Sequence, residues 1–420
     1  MIEKNLKYIK WWFSPKFPED HVKKVLSYHP IGKGSYLRDK YRTWMVHPIK
    51  RRIAKYYLNL LRKIFGLKVI GITGSAGKTT TKDMVTSILR LDGETVSSFE
   101  NIDPVYNIPT TILKCNPATK YLILEMGVEY PNEMDFYLWL AKPDIGVITN
   151  IFPTHTEFFK SVGGVFKEKS KLVTNLNFND WAVLNLKDKK LKSLRDTLEA
   201  KTIFFGEGGD IKLSSVKTNS KGFSEIVISF VYLREGKIKV NLPLIGPPFA
   251  ENALASAAVA DILGISLLKI KKGLETVEVS KHRMNIVKIK DTIIMDDSYN
   301  NNPQAAIEAI KVFNEYSGKR KKIVVFGDML ELGKLEKKYH RKLGKVLSSS
   351  KLNYLIGVGR ASEELVREAS KGMGDSKVRH VNNWQEAYLL LRKKIRSNQA
   401  ILIKGSRSIG LDNIVSRLSA

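Results

Sequence analysis

Lys78 stands between Gly77 and three threonines, Thr79, Thr80 and Thr81, and the turn before it, Gly74-Ser75-Ala76-Gly77, contains only small residues. A small-residue turn ending in Lys and Thr at a helix start is suited to wrap a polyphosphate. Backbone N–H groups point inward, the helix terminus adds positive potential, the lysine neutralises charge and a Thr hydroxyl holds Mg²⁺. Gly74, Ser75, Ala76, Gly77, Lys78, Thr79 and Thr80 are therefore the expected nucleotide-binding residues. The spacing departs from the general P-loop, which has a glycine where Ile72 stands here. The alternative is an ordinary glycine turn; GKTT directly behind an apolar run argues against it.

Two more groups stand beside such runs. Glu125 closes Tyr121–Gly127, YLILEMG, and a carboxylate at the end of a parallel strand faces the crevice where ligands bind. It would hold Mg²⁺ there or sit in a salt bridge. His155 follows the run Ile145–Ile151 and is either a metal ligand at the same edge or a structural loop histidine. Lys167-Glu168-Lys169-Ser170-Lys171 reads by composition as a basic helical surface, with no lysine singled out.

These groups need a sheet to hold them. Strands are expected at 68–74, 95–99, 121–127, 145–151, 180–185 and 202–206, with helices between most of them, which argues a mainly parallel sheet covered on both faces. A hairpin at 223–233 and 237–246 turns at Glu235-Gly236, and a helix follows from Glu251 to Leu263. Polar composition near 278–282 marks a boundary, beyond which strands at 292–296, 322–327, 353–358 and 401–405 alternate with helices. The expected organisation is an N-terminal segment (1–66), an α/β P-loop domain (67–280) and a second, Rossmann-like α/β domain (281–420).

The N-terminal segment differs from the rest. Residues 1–66 hold sixteen Lys and Arg against four Asp and Glu, in a chain of 420 residues with net charge +28. Trp11, Trp12, Phe13, Phe17 and Trp44 are scattered among the cations. Pro48 opens an expected helix to Phe65 in which Ile49, Ile53, Tyr56, Leu60 and Ile64 share one stripe. Either that stripe packs on the next domain and the charges face water, the simpler reading, or the helix lies on an anionic membrane with Trp as anchors. The charge favours anionic partners generally. No nucleic-acid motif accompanies it, so nucleic acid is not an expected partner. The single cysteine, Cys115, fits a reducing compartment, and neither a signal peptide nor a membrane span is evident. A cytoplasmic location is expected, at the inner membrane face if the helix binds lipid.

GITGSAGKTTTK, LEMG, ITNIFPTHTEFF with KEKSKL, ENALASAAVADILGI, HRM, DDSYNNNP, VVFGDMLELG and KGSRS occur in that order. Over residues 67 to 420 this resembles the Mur ligases, ATP-dependent amide-forming enzymes of cell-wall peptide synthesis. The wording DDSYNNNP, FGDMLELG and KGSR resembles the branch that adds D-alanyl-D-alanine to a UDP-muramoyl-tripeptide. The resemblance implies ATP and two Mg²⁺, an acyl-phosphate intermediate, and a metal set of Thr79, Glu125, His155 and Lys169, the last carbamylated. It implies nucleotide contacts from Asn252, Arg283, Asp297 and Asn302. Catalytic roles fall to Lys78, Lys169, His155 and Arg283, and substrate contacts to Asn107, His340, Lys404 and Arg407.

Two departures bear on the substrate. The resemblance implies an N-terminal domain that grips the UDP end, whereas the 66 residues before the matching region here read as basic and aromatic rather than α/β. The family's NNxxGxP reads Asp103-Pro104-Val105-Tyr106-Asn107-Ile108-Pro109 here. Another acceptor, polyglutamate-like or lipid-linked, and a non-catalytic membrane scaffold are the alternatives. Intact Lys78, Glu125, His155, Lys169 and Arg283 argue against the scaffold.

Overall fold

A computed structural model describes residues 46–99, 104–218, 223–278 and 280–419. Trp11, Trp12, Phe13, Phe17, Trp44 and Asp103 lie outside the described residues.

The chain opens with α1 (His47–Phe65), β1 (Lys68–Thr73), α2 (Lys78–Leu89), β2 (Thr95–Ser97), α3 (Pro104–Ile112) and β3 (Tyr121–Glu125). It continues through α4 (Glu133–Leu140), β4 (Ile145–Ile148), α5 (Thr156–Phe159), α6 (Val162–Thr174), β5 (Trp181–Asn185), α7 (Lys189–Lys192) and β6 (Lys201–Phe205). Then come β7 (Ile211–Thr218), β8 (Ser224–Phe230), β9 (Gly236–Leu242), α8 (Pro247–Ile262) and α9 (Leu267–Glu275). These strands form one sheet in the order β2-β3-β1-β4-β5-β6-β7-β8-β9. It is parallel from β2 to β7, and β7, β8 and β9 pair antiparallel. β1 is buried on both faces from Val69 onward, which is why it reads as a continuous apolar run rather than an alternating one.

Because β1 lies between β3 and β4, the loops leaving all three strands meet at one edge. Ile72 is level with Glu125, and Thr73 with Ile148. That is where strand order reverses and ligands bind in open α/β sheets. Helix α8, buried on nearly every side, packs beneath the sheet against α2 and brings Asn252 to the same edge.

The second sheet follows, with β10 (Asn285–Ile289), β11 (Thr292–Asp297), α10 (Pro303–Ser317), β12 (Lys321–Gly327), α11 (Glu336–Ser348), β13 (Tyr354–Val358) and α12 (Ser362–Met373). β14 (Val378–Val381), α13 (Trp384–Lys394), β15 (Gln399–Lys404) and α14 (Asp412–Ser419) complete it. The order is β10-β11-β15-β12-β13-β14, all parallel except β10. Asp297 and Lys404 are level on neighbouring strands at its C-terminal edge. Strands β7, β10 and β14 are additions to the expected set. β7 is mostly exposed and polar, and β14 has only four residues, so neither carries an apolar run.

Helix α1 reverses the simpler expectation. Ala54, Leu58 and Leu61 face the domain, whereas Ile49, Ile53, Tyr56, Leu60 and Ile64 are each 47–64% exposed. The cations are what the domain holds. The Lys50 ammonium donates to Thr110 Oγ1 (2.8 Å), and Arg62 pairs with Asp144 (2.8 Å) and donates to the Lys142 carbonyl (2.6 Å). Arg51 lies over the Phe136 ring and Lys55 over the Trp139 ring. Burial, with Arg52 alongside, pulls the Arg51 guanidinium down to about 10. No helix among the described residues is long and apolar enough to cross a membrane.

Candidate active site

The phosphate loop is built by close approach. Gly74 has φ 151° and a Cβ there would lie 1.9 Å from Thr149 Oγ1; Gly77 has φ 79° and a Cβ would lie 2.4 Å from Asn252 Oδ1. Only glycine adopts those angles without strain and leaves that space. The end of β4 grips the loop. The Asn150 side chain accepts from Ala76 N–H (2.8 Å) and donates to the Ala76 carbonyl (3.1 Å), and Thr149 Oγ1 donates to that carbonyl (2.6 Å). Ser75 Oγ accepts from Phe152 N–H (2.8 Å) and so braces the next loop instead of turning outward. No side chain caps α2. Its first N–H groups are left to bind an anion.

Thr79 Oγ1 donates to Glu125 Oε2 (2.8 Å) and accepts from Arg283 Nη2 (2.8 Å). Glu125 lines the cleft and is in no salt bridge among the described residues. Arg283 is held in a strained junction. His282 and Met284 on either side have φ 64° and 55°, and the guanidinium stacks 4.2 Å over Tyr299. Arg407 lies over the same ring (5.3 Å). The Lys78 ammonium reaches the Gly74 carbonyl (3.1 Å). Burial is the main force lowering its pKa, Arg283 adds to that, and Glu125 and Glu129 oppose it.

One cleft of about 1580 Å³ is lined by both sheets. From the loop side come Ser75 to Thr80, Glu125 and His155; Asn107 and Asn252 join them, and from the second sheet come Arg283, Asp297, Asn302, Lys404 and Arg407. That is larger than an ordinary single-ligand pocket, with space for a nucleotide and further reactants. Lys404 Nζ pairs with Asp297 Oδ2 (2.6 Å) and donates to the Asn300 carbonyl (2.9 Å). Burial raises the Asp297 pKa, and Lys404 and Arg283 pull it back down. Asn302 caps α10 by accepting from Ala305 N–H (2.9 Å).

Lys169 is 1% exposed on α6, inside the protein rather than on a basic surface. Burial, then the neighbouring Lys78, holds its pKa well below the ordinary lysine value. Burial favours the uncharged amine over the ammonium, and the buried location is what composition could not reveal.

His155 departs from the simple picture of a ligand beside Glu125. Its Nδ1 is paired with Glu331 of the second domain's GDMLELG segment. Ligand-type atoms of Glu129, His155 and Glu331 lie within 4.8 Å of one another. His155 (φ 52°) and Glu331 (φ 62°) both adopt left-handed backbone. Glu157 N–H donates to the Glu331 carbonyl (3.1 Å), and Thr156 Oγ1 donates to the Leu332 carbonyl (3.1 Å). The two domains are thus clasped beside the cleft. Glu129, Glu331, Thr149, Asn150 and Tyr299 are site residues the sequence reading did not name; the strings ITNIFPTHTEFF, DDSYNNNP and GDMLELG contained all of them but Glu129.

Two expected substrate residues are placed otherwise. His340 is fully buried: Nε2 accepts from Met329 N–H (3.1 Å) and Nδ1 donates to the Glu336 carbonyl (2.8 Å). With one ring nitrogen spent on the turn after β12 and the other on the first turn of α11, it has no ring nitrogen left for a ligand. Burial lowers its pKa, which suits this neutral ring. Asn107 borders the cleft, but its amide donates to the Phe99 carbonyl (2.7 Å) and accepts from Thr111 Oγ1 (2.8 Å). It braces the cleft wall.

Residues 72–260 match the family described as Mur ligase middle domain, and residues 282–407 the one described as Mur ligase, glutamate ligase domain. A UDP-N-acetylmuramoyl-tripeptide–D-alanyl-D-alanine ligase of Buchnera aphidicola subsp. Baizongia pistaciae is 36% identical over 357 residues, covering 83% of this chain and 75% of that protein. The Bacillus subtilis protein of the same name is 30% identical over 369 residues, covering 88% and 78%. MurF from Acinetobacter baumannii superposes with a TM-score of 0.80 at 26% identity, over 89% of this chain and 80% of that one. MurF ligase from Thermotoga maritima in complex with ADP shares the fold, with a TM-score of 0.74 at 24% identity over 87% and 83%. With both domains matched in order around a single cleft, the chain belongs to the Mur ligase family and is a ligase.

Proposed function

We propose that this chain is an ATP-dependent, ADP-forming peptide ligase that joins D-alanyl-D-alanine to a UDP-muramoyl-tripeptide, or a closely related carboxylate precursor, in peptidoglycan synthesis. The observation that carries the reading is Arg283 from the second domain on Thr79 of the phosphate loop, 2.8 Å apart. Relatives of 30–36% identity bearing that activity in their names support the substrate pair.

In this reading Gly74 to Thr80 hold the ATP phosphates, with Asn252, Asp297 and Asn302 on the nucleoside side. A carboxylate oxygen of the acceptor attacks the γ-phosphorus, the bond to the bridging oxygen breaks and ADP leaves. Lys78 and Arg283 lie against the oxygens where charge spreads. The dipeptide's amine then attacks the acyl-phosphate carbonyl, gives up a proton, and phosphate departs. Lys404 and Arg407 stand on the second domain's side, where the incoming dipeptide carboxylate is expected. Closure excludes the water that otherwise hydrolyses the acyl phosphate.

Thr79 and Glu125 are hard oxygen donors 2.8 Å apart, a set that suits Mg²⁺, and His155 lines the same cleft beside Glu129 and Glu331. A carbamate formed by Lys169 Nζ with CO₂, with loss of a proton, would add a carboxylate for a second ion. Bound Mg²⁺ supplies charge neutralisation on the phosphoryl oxygens. The reading puts the enzyme in the cytoplasm, where nucleotide precursors and ATP are available.

The test is ADP release with UDP-muramoyl-tripeptide and D-alanyl-D-alanine. ADP should form with coupled product only when both are present. Release that ignores either substrate contradicts the proposal.

A further inference from the structure

We propose that the outer face of α1 is a docking surface for an anionic lipid bilayer. A lone surface helix turns its apolar stripe to the protein and its charges to water. α1 buries Ala54, Leu58 and Leu61 in this way but leaves a second apolar stripe facing outward. Ile49, Ile53, Tyr56, Leu60 and Ile64, at spacings of three and four residues, form one exposed stripe opposite Ala54, Leu58 and Leu61. Lys50, Arg51, Lys55 and Arg62 are tied down against the domain by the contacts to Thr110, Phe136, Trp139 and Asp144. These contacts fix the helix's rotation, so the stripe cannot turn inward.

The occupant is indicated by charge. α1 has no Asp or Glu; four of its six cations are held by the domain and Arg52 is buried. The charge it offers outward is therefore Lys63, and residues 1–45 add ten basic against four acidic residues. Lys63, exposed beside the stripe, stands at the height of lipid headgroups when the stripe enters the acyl boundary. A helix of 19 residues presents a contact about 28 Å long. Apolar burial with attraction to anionic lipid is the combination that holds interfacial helices on membranes. The surface lies on the central domain but contributes no residue to the cleft, so the inference is independent of the substrate assigned there.

Flotation of the full-length chain with vesicles of phosphatidylglycerol and phosphatidylcholine tests it, against phosphatidylcholine alone. The chain should float with the anionic vesicles, less so as salt rises. The double variant Ile53→Asp, Leu60→Asp should lose about tenfold in bound fraction with an unchanged melting temperature. Lys63→Glu should weaken binding to a smaller degree. Absence of binding at low salt overturns the proposal, as does equal binding by the double variant. Lack of binding with a lower melting temperature in the double variant also overturns it, assigning the stripe to cover by the chain's own residues 1–45. A second copy of the chain as occupant would appear as a dimer that the double variant separates, with no vesicle binding.

Discussion

Arg283 Nη2 lies 2.8 Å from Thr79 Oγ1, although 204 residues separate them in the chain. The contact joins the domain junction to the phosphate loop, with the Arg283 guanidinium already over Tyr299. In the proposed mechanism this arginine serves the transferring phosphoryl group more than the resting nucleotide. Arg283→Ala should therefore lower kcat by about 100- to 1,000-fold, in line with the loss of one preorganised donor. ATP affinity should change by much less. Steady-state kinetics with an ATP-binding titration separates the two. Arg283→Lys should recover little, because a point charge does not reproduce the planar fork.

Lys169 gives a prediction of opposite sign for activity and stability. Lys169→Met should abolish most turnover, and short carboxylates such as acetate should restore part of it to Lys169→Ala. Below its ordinary value of 10.5 a lysine is protonated when unfolded, while the native amine is held neutral well below that. The unfolded state thus binds more protons between the two values, so native stability rises with pH across that window. In bicarbonate-free buffer Lys169→Met should melt higher than wild type near neutrality, and the gap should close as pH approaches 10.5. Calorimetry across pH reads this directly.

Legibility followed how local each signal was. The strand–glycine turn–helix was readable because Gly74 to Thr80 carry their own geometry in consecutive residues. The two parallel sheets were readable because strands buried on both faces are apolar throughout, and β7, β10 and β14 were missed for the opposite reason. Helical spacing identified the α1 stripe correctly, but periodicity says which residues share a face and not which way that face turns. Contacts at Thr110, Phe136, Trp139 and Asp144 decide that, and they lie far away in sequence. Glu331 pairs with a histidine 176 residues earlier, with no local pattern to announce it. His340 is an expected substrate residue only through the family resemblance, and its burial with both ring nitrogens engaged removes it.

The Glu331–His155 pair has a measurable consequence. With Nδ1 engaged by Glu331, the imidazole presents Nε2 as its remaining nitrogen, and outer partners of this kind set the orientation of a ligating ring. Glu331→Ala should lower activity by about 10- to 100-fold and raise the Mg²⁺ concentration needed for half-maximal rate. Glu331→Gln, which keeps a hydrogen bond, should recover part of both. A loss of activity with an unchanged Mg²⁺ requirement would make the pair a domain clasp alone.

The central claim is that the cleft transfers the γ-phosphoryl group to a carboxylate before the amide forms. It is tested most directly with acceptor labelled with ¹⁸O in both carboxylate oxygens. Carboxylate attack on phosphorus leaves one labelled oxygen in each inorganic phosphate released, and the account predicts that transfer at one label per amide bond formed. Unlabelled phosphate, formed alongside the amide product, would contradict it.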